Sequence, residues 1–181
     1  MVFYKALWLS VFYALLIFLP SDAIAQETRI AVVDVERILN DSKAGQSIQK
    51  QLKQRRESFQ KEFKAKEDQL MQSEKTLVQS KSDLSAEEFS KKRKEFEKKL
   101  LETRNLFQKR RNSLDKGLGA ALSNLRKSII SVTAEVAEEG KYQVVLTRDS
   151  VVIVDKSMDI TEKVLSRLNS KVSDIKLEIS G

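Results

Sequence analysis

Two kinds of side chain in this sequence have both the type and the spacing to do something specific. Phe59, Phe63, Phe89, Phe96 and Phe107 lie within one charged stretch, and the run Lys91, Lys92, Arg93, Lys94 sits among them. Apolar rings capture other apolar surface through burial, at about 25 cal/mol per Å². Clustered cations draw anions through a field that salt screens. That is the chemistry of noncovalent capture. Bond-making chemistry has far less to work with. Histidine and cysteine are absent from all 181 residues, which removes the usual proton shuttle and the thiol nucleophile. No glycine-rich phosphate loop occurs, and no carboxylates stand at calcium-loop spacing. Asp34, which ends an apolar run, is the one acid in a suggestive place, and capping the backbone is the commoner use of such a residue. The sequence reads as a non-enzyme with no cofactor and no metal.

The cations and rings are not spread evenly. From Lys50 to Arg111 there are 19 Lys and Arg against 11 Asp and Glu, so the positive excess of the whole chain sits on this stretch. Long solvated helices also carry surplus lysine for solubility alone, so capture and solubility both remain open for Lys91 to Lys94. The start of the chain decides which anions are relevant. Lys5 precedes an apolar run of fourteen residues from Ala6 to Leu19, then Pro20, then the small residues Ala23 and Ala25. This is the pattern of a secretory signal peptide, residues 1–25, removed after Ala25. The apolar run is short for a membrane span, which takes roughly 20 residues. Export argues against nucleic acid as a natural partner, although a basic arm attracts phosphate backbones in vitro.

These residues must be positioned by long helices. After residue 25 the chain has no proline, and Lys, Glu, Gln, Leu and Ala abound. From about Gln46 to Gln79 the apolar residues Ile48, Leu52, Phe59, Phe63, Leu70 and Leu77 form one narrow stripe, after a break expected at Gly45. Residues 80–84 then read as a turn, and Ser85 with Glu88 forms a capping box that starts a second helix near Ala86. That helix is expected to run to Glu139, with Gly140 as its left-handed stop. Phe96, Phe107, Leu118 and Ile129 recur every 11 residues, as do Ile48, Phe59 and Leu70. An 11-residue period, about 3.67 residues per turn, predicts a nearly straight pair. A short turn between striped helices makes an antiparallel hairpin. The arm is thus residues 46–113 with its tip near 80–85. Phenylalanine on such a stripe is more often the seam between helices than a binding surface, and a narrow seam can serve as both.

The remainder, residues 26–45 and 114–181, reads as a small β-rich body. "RIAVVDV" is a strand, and "YQVVLT" and "VVIVD" flank "RDS" as a β-hairpin. Both hairpin runs are apolar at consecutive positions, so both faces are expected to be covered. "MDITEKVLSRLNSK" offers Asp159 as helix N-cap with Glu162 three residues on. The tail "VSDIKLEISG" is compatible with a weak strand or a frayed end. Gly117 and Gly119 fit either tolerated packing or a hinge. Three short strands leave open edges that are normally paired, so assembly through the body follows, with Ile30, Val32, Val145, Val151 and Ile153 as candidate contacts. The fold class is α+β and mostly helical: a long antiparallel helical-hairpin arm on a small β body.

The order of elements resembles the Skp/OmpH family of periplasmic chaperones. "IAVVDVERILNDS" near the start and "YQVVLTRDSVVIVDKSMDITEKVLSRLN" near the end carry the likeness, and the arms match only in length and character. The resemblance implies a homotrimer whose strands close a small barrel, with three arms enclosing a cavity. It further implies ATP-independent holding of unfolded outer-membrane β-barrel proteins in the periplasm, and the rings and cations of the arm itself make Phe59, Phe63, Phe89, Phe96, Phe107 and Lys91, Lys92, Arg93 and Lys94 the client-binding candidates. Contact with an anionic membrane or lipopolysaccharide is implied as well, but the family's basic patch has no residue-by-residue match here. The alternative reading is a structural coiled-coil spacer or adaptor of the cell envelope.

Overall fold

The computed structural model describes residues 28–179, so the segment read as a signal peptide lies outside the described residues. The chain begins with β1 (Ile30–Val33) and α1 (Val35–Asp41), followed by two long helices, α2 (Lys43–Gln79) and α3 (Ala86–Gly140). β2 (Val144–Thr147), two single 3₁₀ turns and α4 (Thr161–Lys171) complete it. At ~1.5 Å per residue, α2 extends about 55 Å and α3 about 80 Å. The two run antiparallel, because Phe63 meets Phe107 and Phe59 lies beneath Arg110.

Local chemistry sets the helix ends. Asp34 caps α1, its Oδ1 accepting from the Arg37 N–H at 2.8 Å. Ser85 caps α3, and the reciprocal bond from the Ser85 N–H to Glu88 Oε2 is 3.0 Å. Gly45, expected as a break, lies inside the first turn of α2, and the break falls at Ser42, whose buried hydroxyl accepts from the Gly45 N–H. Glycine is needed there for another reason: a Cβ would stand 1.9 Å from the Leu39 carbonyl oxygen. The stop of α3 also differs from expectation. Lys141, not Gly140, takes the left-handed conformation (φ 54°, ψ 39°), and the Tyr142 N–H closes a Schellman turn on Ala137. Gly140 instead leaves room for the Tyr142 ring, which a Cβ would meet at 2.2 Å.

The body is built on the upper part of α3. Leu125, Ile129, Val132 and Val136 on one face of α3 pack with Ile38, Ile48, Val164 and Leu168, all essentially inaccessible to water. The sheet has two strands among the described residues, not three. β1 pairs parallel with β2, Ile30 opposite Val144 and Val33 opposite Thr147. On its other side β1 is bridged to Asp159, and the Ile160 N–H donates to the Val32 carbonyl. The expected β-hairpin is therefore absent. Arg148–Ser150 form a 3₁₀ turn, and the following residues, "VVIVD", take no strand partner among the described residues. Both edges of β1 are occupied, and the free edge of β2 stays unpaired among the described residues, because the chain leaves β2 through a 3₁₀ turn and not a hairpin turn. Nor are both faces covered, since Val152 and Ile153 are 95% and 87% exposed. A strand exists only when its hydrogen-bonding groups find a neighbour.

The start of α4 is shifted by one residue. Asp159 Oδ1 accepts from the Thr161 N–H at 2.8 Å, but Ile160 occupies the cap position. Glu162 reaches Arg37 on α1 instead of turning back to the cap. Arg167 and Lys171 on α4 then pair with Glu139 and Glu135 on α3. These ion pairs lash α4 to the end of the long helix.

A candidate binding surface on the helical arms

Between the tip and the body, α2 and α3 touch only along a narrow line. The stripe residues are too far apart to fill the space between two backbones, so clefts remain on either side. One, of about 690 Å³, is lined by Phe63, Leu70, Met71, Phe96, Leu100 and Phe107, with Glu67, Glu74, Arg104 and Arg111 at its margins. On the other side a more polar cleft of about 590 Å³ includes Lys66, Gln69, Lys99 and Glu102. Leu70 and Thr103 border both, so the seam at their level is one residue thick. A third cleft near the tip, about 300 Å³, lies between Leu77 and Phe96 with Lys92 and Lys99 beside it.

The five phenylalanines fall into different settings. Phe63 and Phe107 stand edge-to-face with ring centroids 4.4 Å apart, an arrangement that favours ring edge against ring face. Phe63 still leaves 45% of its surface in water. Phe96 shares their cleft, half-buried, on the tip side. Phe59 lies nearer the body, partly buried against its core, with the Arg110 guanidinium 5.7 Å above its ring. Phe89, in the first turn of α3, is half-buried and lies outside all three of these clefts. So three of the five rings come together and two stand apart.

Lys91, Lys92, Arg93 and Lys94 are all exposed. Arg93 pairs with Glu97 at 3.5 Å, one turn on, and an exposed pair of that kind contributes well under about 1 kcal/mol. Glu88, at the helix start, is held below the ordinary carboxylate range by the Ser85 hydroxyl and then by the Ser85 N–H, with a smaller contribution from Lys92. The carboxylate is thus committed to the cap, leaving most of the lysine charge facing solvent.

Leu70, Leu100 and Met71 line the main cleft although the sequence did not single them out as binding residues. Leu100 lies one helical turn after the striped Phe96, and Leu70 was legible as a member of the apolar stripe of α2. Met71 was not, because it lies one position off the stripe and is 65% exposed. The candidate assembly residues also separate. Ile30, Val32 and Val145 lie in the parallel strand pair, where Val32 is only 1% exposed and so is covered by the chain itself. Val151 is half-buried and Ile153 stands free. Among the described residues no cluster of acids could hold a metal ion.

No curated protein matches the sequence significantly. A crystal structure of a chain described as an OmpH-like outer membrane chaperone, from Caulobacter crescentus CB15, is similar with a TM-score of 0.80. The match covers 85% of this chain and 91% of that one at 18% identity, a likeness of fold. The sequence model of the OmpH-like outer membrane protein family matches residues 29–168. That span holds both strands, the whole arm and most of α4, and by it this chain belongs to the OmpH-like family.

Proposed function

We propose that this protein is an ATP-independent holdase of the periplasm, which keeps unfolded outer-membrane β-barrel proteins soluble in a cavity between the basic arms of a homotrimer. The observation that carries this reading is the arm itself: two long helices that leave apolar clefts open along a strongly basic surface. A helix pair serving only as a spacer gains nothing from leaving its rings half-exposed. Family membership and the fold likeness to a described chaperone point the same way.

The mechanism follows from the magnitudes. Full burial of a leucine-sized side chain stabilises by about 1.5–3 kcal/mol, and an open cleft captures part of that. Single contacts of this size break quickly, while many along one client hold it. The surplus positive charge speeds encounter with acidic segments of a client and with an anionic envelope surface. No step needs a nucleotide or a covalent intermediate.

Assembly is supported by the exposed Val152 and Ile153, an apolar stretch of strand composition that has no strand partner among the described residues. A second and third copy pairing there bury it and place the arms around a common space. The experiment is direct. A urea-unfolded membrane β-barrel protein is diluted into buffer with and without this protein, and light scattering follows its aggregation. Suppression at near-stoichiometric trimer is expected. Unchanged scattering at a large excess refutes the holdase reading in favour of an envelope spacer.

A further inference from the structure

Residues 172–179 lie beyond the span that matches the family model and beyond the last helix. They form neither a strand nor a frayed end. The segment runs across the root of the arm, and from Asp174 onward its side chains alternate between exposed and buried. Ile175 and Ile179 are half-buried and Leu177 is 5% exposed, while Lys176 and Glu178 between them face solvent.

The two long helices hold this backbone in complementary ways. On α2, the Gln51 amide grips it twice: Nε2 donates to the Ile175 carbonyl at 2.9 Å, and Oε1 accepts from the Leu177 N–H at 2.9 Å. Ser47, one turn earlier, donates its hydroxyl proton to Asp174. On α3, Gly117 lets the backbone in, because a Cβ there would stand 2.3 Å from the Glu178 carbonyl oxygen. Gly117 is therefore a contact surface, not a free hinge, whereas Gly119 faces open space. Bonds to main-chain groups combined with pockets for every second side chain are the way proteins recognise extended peptides. The Gln51 bonds and the Gly117 approach depend on main-chain atoms and so on no particular sequence.

We propose that the groove between α2 and α3 at the arm root is a binding site for an extended peptide of alternating apolar and polar residues, and that the chain's own residues 172–179 occupy it in cis. Membrane-spanning β-strands carry this alternation. Strand segments of an unfolded barrel protein are accordingly the ligand class, an assignment that rests on the holdase reading, whereas the groove itself does not. A client strand enters when the tail leaves, so the tail acts as a competitor built into the chaperone.

The test uses a fluorescent synthetic peptide of residues 172–179 and two forms of the protein, full-length and ended at Ser173. The shorter form keeps the Val172 N–H that closes α4 on the Leu168 carbonyl. The shortened protein is expected to bind the peptide saturably, and the full-length protein at least roughly tenfold more weakly, because a tethered competitor acts at high effective concentration. In the shortened form, Gln51→Ala removes both backbone bonds and weakens binding about tenfold, and Gly117→Ala abolishes it. A folded shortened protein that does not bind the peptide overturns the proposal. Hydrogen exchange on the unaltered protein is an independent measurement that decides the matter should the shortened form not fold. The Leu177 amide should exchange about a hundredfold faster than the amide of Leu125, as expected for a segment that opens locally. Equal rates make the tail a fixed part of the core and overturn the proposal. Competition by an unfolded barrel protein supports the ligand class, and failure to compete while the peptide still binds overturns that assignment alone. The aggregation assay tests the holdase reading separately.

Discussion

The edge-to-face pair of Phe63 and Phe107 allows the seam and contact roles of the arm rings to be measured apart. Replacing either ring with leucine keeps the stripe apolar and introduces a better helix former, so single variants mix two effects. A double-mutant cycle cancels the propensity change and leaves the coupling between the rings. Aromatic pairs contribute about 0.5–1.5 kcal/mol beyond burial. The lower half of that range applies, because Phe63 remains 45% exposed. A coupling of about 0.7 kcal/mol corresponds to roughly threefold in the opening equilibrium of the arm. Amide exchange along α2 and α3 reads that change directly, with amides of the body as internal reference. Phe96 belongs to the same cleft but not to the pair, so Phe96→Leu should leave arm exchange unaltered while weakening capture of an unfolded barrel protein. The reasoning is refuted if the Phe63–Phe107 coupling is indistinguishable from zero, or if capture is untouched by all three substitutions. In the first case the rings do not hold the arms together; in the second they do nothing else.

Four further outcomes follow from the same structure. Leu125→Ala, at a fully buried position where α3 crosses the body, should destabilise by about 2–5 kcal/mol in denaturant titration. Glu139 is held below the ordinary carboxylate range, first by its hydrogen bonds from Arg167 and then by the charges of Arg167, Lys163 and Lys171. Its contribution is therefore complete above the unfolded value of 4.5 and is lost as pH falls through the lower folded value. Acidification below that point should lower the melting temperature, and Glu139→Gln should remove part of this dependence. Reversing Lys91, Lys92, Arg93 and Lys94 to glutamate should slow client capture most at low salt, and equal rates at every ionic strength would assign these charges to solubility. Ile153→Asp should dissociate the assembly while leaving the chain folded, since this side chain is almost free in the single chain; sedimentation at unchanged mass removes the trimer interface from this segment.

The arm was legible in the sequence because what defines it is local. Ser85 and Glu88 are three residues apart, and their mutual hydrogen bonds start α3 whatever surrounds them. The turn at residues 80–84 makes the pairing antiparallel, but counting outward from it puts Phe63 level with Glu102, about five residues short of its actual partner Phe107, so the level of the rings is set by packing. The 11-residue stripe added that Leu70 shares a helix face with Phe59. The body was different, because its contacts join residues far apart in the chain, from 28 positions between Glu139 and Arg167 to 126 between Gln51 and Leu177. Both apolar runs after Tyr142 have strand composition, and only the tertiary structure decides that the first pairs with β1 while the second leaves the free edge of β2 unused. Gly117 read equally well as a hinge until a carbonyl from the C-terminal segment was found against it. Gln51 carried no mark at all, since an amide on a wet helix becomes a clamp only when a distant backbone is delivered to it. Periodicity and caps act over one or two turns of chain, whereas strand pairing and groove occupancy depend on which remote groups packing brings within hydrogen-bond reach.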